Sequence, residues 1–353
     1  MKLKINGEEV DLPAVWWNSE QKLVQLIDQT KLPFQISIHS CSTYRDIVEA
    51  IKSMKIRGAP SIGATAAYGL AQAINEFWGE PEYLTKVSLA YDQLLLSRPT
   101  AVDLKNGLDH VKKTWVVSPD EAIVQAQKFA HNISMQGKKI GEVGKSLIRE
   151  SMNILTHCHT GALALVDHGS AIAPLIASWE DGMRFHVYVD ETRPRMQGRL
   201  TSWELTQYGI DHTVICDSAS GHLMSSGKVD LIILGADRVA KNGDIANKIG
   251  THNLAVIANH YSIPFYSAFP DTTFDINTST GAEITIEERN PQEIYEVRGL
   301  SKTKRTRISV SVYKENTHFY NPAFDVTPAE LLSGYITPHG ILSKEDLGQV
   351  YSN

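Results

Sequence analysis

The sequence has few cysteines. Cys41, Cys158 and Cys216 are the only three in 353 residues, and no two of them form a CxxC pair. That excludes a disulfide framework and suits a reducing cytosol. No apolar run approaches the roughly 20 residues needed to cross a bilayer. The opening MKLKINGEEVDLP carries charge but no apolar stretch before a small-residue cleavage site, so no secretory signal is expected. An excess of one charge is missing too: a net charge of -6 and a pI near 6.1 give no global attraction to nucleic acid or anionic lipid. No GxGxxG follows the first strand and no GxxxxGK[ST] loop occurs, which disfavours NAD and ATP. The expectation is a cytoplasmic protein without membrane or nucleic-acid partners and without a cofactor.

What is present is ordinary globular material, 42% apolar and 21% charged. Its length predicts two domains rather than one core. The first third reads as small strands followed by helices. In STYRDIVEAIKSM, Ile47, Ala50, Ile51 and Met54 recur at helical spacing, and Thr43 with Asp46 resembles a capping box. In RGAPSIGATAAYGLAQAI, Pro60 suits a helix start, and the Ala, Gly and Ser that follow allow close approach to neighbours. A long helical stretch begins near residue 121. Beyond it the runs ILTHC, FHVYVDE, HTVICD, LIILGAD and PFYSAF alternate with helical patterns, the rhythm of βαβ units and a parallel sheet. The predicted class is α/β, with a smaller, mainly helical N-terminal domain over residues 1–120 and a Rossmann-like domain over 121–353.

Ligands of open parallel sheets bind outside the carboxyl ends of the strands. The polar residues there are Cys158, Asp190, Glu191, Asp217 and Asp237. Each alone reads more readily as a cap for the next helix, and it is their convergence on one edge that favours a site. Cys158 precedes a Gly-containing turn whose free N–H groups would lower a thiol pKa, and it reads as well as a small buried hydrophobe. Asn247 and Lys248 are predicted at the N-terminus of a helix marked by Ile249, Leu254, Ile257 and Ala258, where a phosphate would fit. Arg57 and Arg98 precede proline-constrained turns and suit bidentate phosphate contacts or surface salt bridges. His157, His159 and His168 raise the question of a metal, but no acidic or cysteine partner shares a ligand spacing, so none is expected. The basic run Lys302, Lys304, Arg305 and Arg307 reads as a solvated loop or strand edge.

Taken together, IRGAPSIGATAAYGLA, SRPTAVDL, LTHCHTGALA, YVDETRPRMQGRLTSWEL, LGADRVAKNGDIANKIGT and NPAFDVTPAELLSGYIT resemble the methylthioribose-1-phosphate isomerase family. That family is a branch of the superfamily holding the regulatory subunits of translation initiation factor 2B. The resemblance implies an aldose–ketose isomerase of methionine salvage, usually a homodimer, with a small N-terminal domain on a Rossmann-like one. It implies that Cys158 is the catalytic cysteine and Asp237 the general acid. Arg57, Gly58 and Ala59 resemble the substrate loop, with Arg98, Gln197, Asn247 and Lys248 as further substrate contacts. His159 stands where the family pattern has asparagine, HGSA replaces a YGTA-like stretch, QGRL is one residue short of QGARL, and the segment between Arg289 and Asn321 is longer than usual.

A sugar phosphorylated on its anomeric oxygen does not open freely to the aldehyde, so the ring oxygen must be protonated. Asp237 is expected to donate that proton from a water-poor site. Hydrogen then moves from C2 to C1, through an enol relayed by Cys158 or as a hydride with Cys158 assisting. Within this class, 5-deoxyribose 1-phosphate competes with 5-methylthioribose 1-phosphate as substrate. Ribose 1,5-bisphosphate would need a second anion site, which no basic cluster in the sequence clearly supplies. A non-catalytic sugar-phosphate-sensing or exchange-factor-like subunit is the alternative from another class.

Overall fold

The computed structural model describes residues 1–5, 7–98, 102–314 and 316–351. The chain opens with a hairpin of β1 (Lys2–Ile5) and β2 (Glu8–Asp11), then an antiparallel sheet of β3 (Val15–Asn18), β4 (Leu23–Ile27) and β5 (Ile38–Cys41). Five helices follow: α1 (Tyr44–Lys52), α2 (Ala59–Phe77), α3 (Tyr83–Leu95), α4 (Val102–Lys112) and α5 (Pro119–Gly144). The capping box forms as expected. Thr43 Oγ1 accepts the Asp46 N–H, and the Asp46 carboxylate accepts the Thr43 N–H at 2.8 Å. Helix α2 is buried from Pro60 to Ile74 because its small residues let α4 lie directly against it. A Cβ on Gly63 would sit 2.5 Å from the Asp103 carbonyl oxygen, and one on Gly107 2.2 Å from the Gly63 carbonyl oxygen. Only glycine fits either place.

The five apolar runs become parallel strands: β6 (Asn153–Thr156), β7 (His186–Asp190), β8 (His212–Ile215), β9 (Leu231–Gly235) and, further on, β12 (Phe265–Ala268). Between them lie α6 (Ala173–Glu180), α7 (Gly198–Gln207), α8 (Ala219–Ser225), β10 (Arg238–Ala240), β11 (Ile245–Lys248) and α9 (Thr251–His260). After β13 (Phe274–Asp275), α10 (Gln292–Tyr295), a hairpin of β14 (Glu296–Leu300) and β15 (Arg307–Ser311), and β16 (Phe324–Thr327), the chain returns to the large sheet. It adds β17 (Gly334–Thr337) and antiparallel β18 (Gly340–Leu342), then ends in α11 (Lys344–Tyr351).

The seven-stranded order is β18-β17-β12-β9-β6-β7-β8. Successive strands run outward from β6 in one direction and from β9 in the other, so the topological switch lies between these two neighbours. That is where a crevice opens at the carboxyl edge. Side chains alternate between faces. Ile154, Val187, Val189 and Ile233 pack under α6 and the end of α5, while Leu155, Ile232, Leu234 and Phe265 pack against α9. Helix α5 belongs to both halves: Ala122, Ala126 and Ala130 join the N-terminal core and Ile140 the sheet core. Beside the large sheet, β13, β10, β11 and β16 form a four-stranded sheet in that order.

Candidate active site

Cys158 follows β6 by two residues and Asp237 follows β9 by two, so the switch point brings them to one crevice. Cys158 is held at φ 66°, a left-handed conformation that a cysteine adopts only under constraint. The constraint is visible. Its N–H donates to Thr192 Oγ1 at 2.9 Å, and its carbonyl accepts the Thr201 hydroxyl at 2.8 Å. All nine residues singled out from the sequence line the same cavity: Arg57, Gly58, Ala59, Arg98, Cys158, Gln197, Asp237, Asn247 and Lys248.

The loop before α2 depends on Gly58. Its φ is 90°, and a Cβ there would lie 2.5 Å from backbone atoms of Ala164. This contact turns the N-terminus of α2 into the cavity, with no acidic residue in its first turn and no side-chain cap. Arg57 Nε and Gln197 Oε1 are buried there without a hydrogen-bond partner among the described residues. Burial and the neighbouring Arg195 pull the Arg57 guanidinium down to about 9. An anion in the cavity would relieve both the desolvation and the repulsion.

Two expectations require correction. Asn247 and Lys248 do not begin a helix; they end strand β11, paired with Asp325 and Phe324, and α9 begins at Thr251. Its N-terminus is already occupied by a carboxylate, since Asp325 accepts the Gly250 N–H at 2.7 Å and the His252 N–H at 3.2 Å. An anion near Lys248 must therefore rely on the ammonium, not on that helix. The Cys158 thiol is not lowered either: burial pushes it up, against the pull of Lys248 and Arg57.

Asp237 is exposed to the cavity, which corrects the expectation of a water-poor site. Enclosure by protein still holds its carboxyl above the usual range, although Lys248 and Arg98 pull the other way. Burial lowers the Lys248 ammonium, opposed by Cys158 and Asp237, and its Nζ lies 5.1 Å from the Phe324 ring centre.

The three histidines part company, each to its own acid: His157 to Asp190, His159 to Glu204 and His168 to Asp167. Asp190 and Asp217 bring carboxylate oxygens within 4.8 Å of the His157 ring, acids that local spacing did not reveal. These donor atoms are engaged. His157 Nδ1–H donates to Asp190 at 2.9 Å and Nε2–H to the Ile249 carbonyl at 3.0 Å, while Asp217 accepts the N–H groups of Thr192 and Arg193, both at 2.7 Å. Oxygens face both ring nitrogens of His157, an arrangement that favours the positively charged ring. Burial opposes that charge, yet the hydrogen bond and charge of Asp190 hold its pKa up.

The sequence reading missed Asp103, Arg195, Glu287 and Arg289, which line the same cavity. Asp103 is 2% exposed, its Oδ1 has no partner among the described residues, and burial with nearby Asp237 pushes it up to about 7. A signal existed, because Asp103 lies five residues after Arg98 in SRPTAVDL. Glu287 and Arg289 reach the cavity through a fold that no local pattern announced.

Residues 55–344 match the model of the Initiation factor 2 subunit family. The methylthioribose-1-phosphate isomerase of Desulforamulus reducens is 43% identical over 93% of this chain and 95% of its own length. That of Caldicellulosiruptor saccharolyticus is 44% identical over 90% and 92%. The 5-methylthioribose 1-phosphate isomerase of Pyrococcus horikoshii superposes with a TM-score of 0.83 at 35% identity, covering 97% of this chain and 96% of that one. A translation initiation factor eIF-2B delta subunit from A. fulgidus gives 0.80 at 37% identity, covering 94% and 96%. The chain belongs to the Initiation factor 2 subunit family, on its methylthioribose-1-phosphate isomerase branch.

Proposed function

We propose that this enzyme converts 5-methylthioribose 1-phosphate to 5-methylthioribulose 1-phosphate, with Cys158 and Asp237 carrying the chemistry. Asp237 donates a proton to the ring oxygen as the C1–O bond breaks. A carboxyl whose pKa is raised by its surroundings suits that task, because it carries its proton to higher pH. The C2 hydrogen moves to C1 while the C2 hydroxyl gives up its proton, which returns to the carboxylate left on Asp237, so that C2 becomes the ketone and the acid is restored; by either route Cys158 has the position to assist. The phosphate is held by Arg57 with the N–H groups of the Gly58–Ala59 loop, while Arg98, Gln197, Asn247 and Lys248 contact the sugar phosphate. The single observation that supports this reading best is the pairing of Cys158 and Asp237 at the ends of adjacent strands β6 and β9, in a cavity lined by Arg57, Arg98 and Lys248.

In this reading the chain divides near residue 120 into a smaller, mainly helical unit and the sheet domain, and works in the cytoplasm as a homodimer without a cofactor. Among the described residues no helix is long and apolar enough to cross a membrane. A coupled assay on 5-methylthioribose 1-phosphate, 5-deoxyribose 1-phosphate and ribose 1,5-bisphosphate tests the assignment. Ketose 1-phosphate should form fastest from the first. Formation from none of them would overturn the enzymatic reading in favour of a sensing subunit.

A further inference from the structure

Outside the catalytic cavity, and sharing Arg57, Arg195 and Arg289 with it, lies an open chamber of about 790 Å³. The β14–β15 hairpin forms one wall. In its antiparallel register Arg298 faces Ser309 and Leu300 faces Arg307, so both arginines share one face, and both line the chamber. Arg307 also ties the hairpin to the N-terminal half, donating to the Thr30 carbonyl at 2.8 Å. Arg199, on α7, also lines the chamber.

The charges here do not balance: eight Lys and Arg side chains line the chamber against two carboxylates, Glu293 and Glu296, the latter two residues from Arg298 on the same face of the hairpin. Glu293 pairs with Arg195 at 2.6 Å and with Arg289 at 2.7 Å, which uses up its carboxylate. Arg199, Arg298 and Arg307 make no salt bridge among the described residues, and Arg199 Nε is buried without a hydrogen-bond partner. Burial lowers the Arg199 guanidinium, and the fields of Arg195, Arg298 and Arg307 lower it further. Arg199 is half-buried and Arg298 and Arg307 are exposed, and their forked guanidinium groups, gathered on one chamber, suit a shared phosphate.

We propose that this chamber is a second phosphate-binding site, distinct from the one in the catalytic cavity, with Arg199, Arg298 and Arg307 as its donors. It builds on the isomerase reading and adds a substrate or effector feature that the 5-methylthio group does not need. The phosphate it takes is either a second one on the same sugar, at the end away from C1, or a free anion.

Calorimetric titration of the full chain with inorganic phosphate should show two binding events, of which only one competes with 5-methylthioribose 1-phosphate. In the double variant Arg298→Gln/Arg307→Gln, checked for folding by circular dichroism, the non-competing event should weaken by roughly ten-fold or more, with kcat on that substrate unchanged. Arg199→Gln should weaken the same event, and Arg298→Lys with Arg307→Lys should restore part of it. If the parent binds ribose 1,5-bisphosphate more tightly than the methylthio sugar, and the double variant loses that margin, the second phosphate belongs to the sugar. If phosphate binding is lost with no such margin, the anion is a separate one. A single phosphate event in the parent, or two undiminished events in the double variant, overturns the proposal. Absence of ketose formation would instead refute the isomerase reading and leave the phosphate count intact.

Discussion

Glu204 accepts the Nε2–H of His159 at 2.8 Å, one residue past Cys158, and with the same carboxylate takes the N–H groups of Ala162 and Leu163 at 2.9 Å each. Both side chains of the pair are 1% exposed. Burial alone would raise this carboxyl, but the charge and hydrogen bond of His159 hold it below the usual range. Helix α7 thus fixes the whole turn that carries the cysteine, through Thr201 on one side and Glu204 on the other. His159 itself is part of this brace.

Removing one member of a buried pair leaves an uncompensated polar group, so Glu204→Ala should lower stability by about 3 to 5 kcal/mol. Urea denaturation measures it. Glu204→Gln keeps an acceptor and should lose less, while both variants should lower kcat more than they raise KM, because the turn that presents Cys158 loosens. Unchanged stability in Glu204→Ala would mean the brace carries no strain from the turn.

Anion binding should follow the cationic side chains and not the end of α9. Arg57→Ala and Lys248→Ala are each expected to weaken substrate binding by about 1.5 to 3 kcal/mol, with inorganic phosphate competing less well in both. Asp325→Ala should instead destabilise the fold by about 0.5 to 2 kcal/mol through the lost cap. Thermal melts alongside competition assays separate the two effects.

Asp103 gives a pH signature. Its folded-state pKa of about 7 lies above the ordinary 3.8, so its contribution to stability is fully present below about pH 4 and is lost as pH rises through 7. The loss amounts to at most about 4 kcal/mol. Asp103→Asn should therefore melt higher than the parent at pH 8, and the gap should narrow toward pH 5. A constant difference across that range would show that Asp103 does not titrate as its burial implies.

The parallel strands were legible because apolar runs bounded by Gly, Asp or Pro recur through the second half, and α1 because Thr43 and Asp46 cap it locally. The start of α9 was misread for a physical reason. Ile249 continues the spacing of Leu254 and Ile257, so periodicity extends the helix backward, while tertiary pairing with Asp325 and Phe324 draws Asn247 and Lys248 into strand β11 instead. Of the basic run, Lys302, Lys304 and Arg305 lie in the exposed turn between β14 and β15 and Arg307 opens the exposed edge strand β15, as a solvated loop or strand edge would, with Arg307 also lining the second chamber. Arg195 was invisible because only the fold brings it to Glu293, 98 positions away, whereas Arg289 pairs with Glu293 four residues on but reaches the cavity only in the folded chain.

The account rests on Cys158 and Asp237 acting in the chemical step, and the most direct test is kcat in Cys158→Ser and Asp237→Asn under conditions where chemistry limits the rate. Cys216→Ser is the appropriate control, since Cys216 is exposed, whereas Cys41 is buried in the N-terminal core. Both catalytic-site variants should fold and bind the sugar phosphate, with kcat lowered by roughly 10² to 10⁴ and KM changed little. The parent's activity should also fall as pH rises through the raised pKa of Asp237, when the acid loses the proton it must donate. A folded Cys158→Ser or Asp237→Asn enzyme that keeps more than about a tenth of the parent kcat would contradict the account.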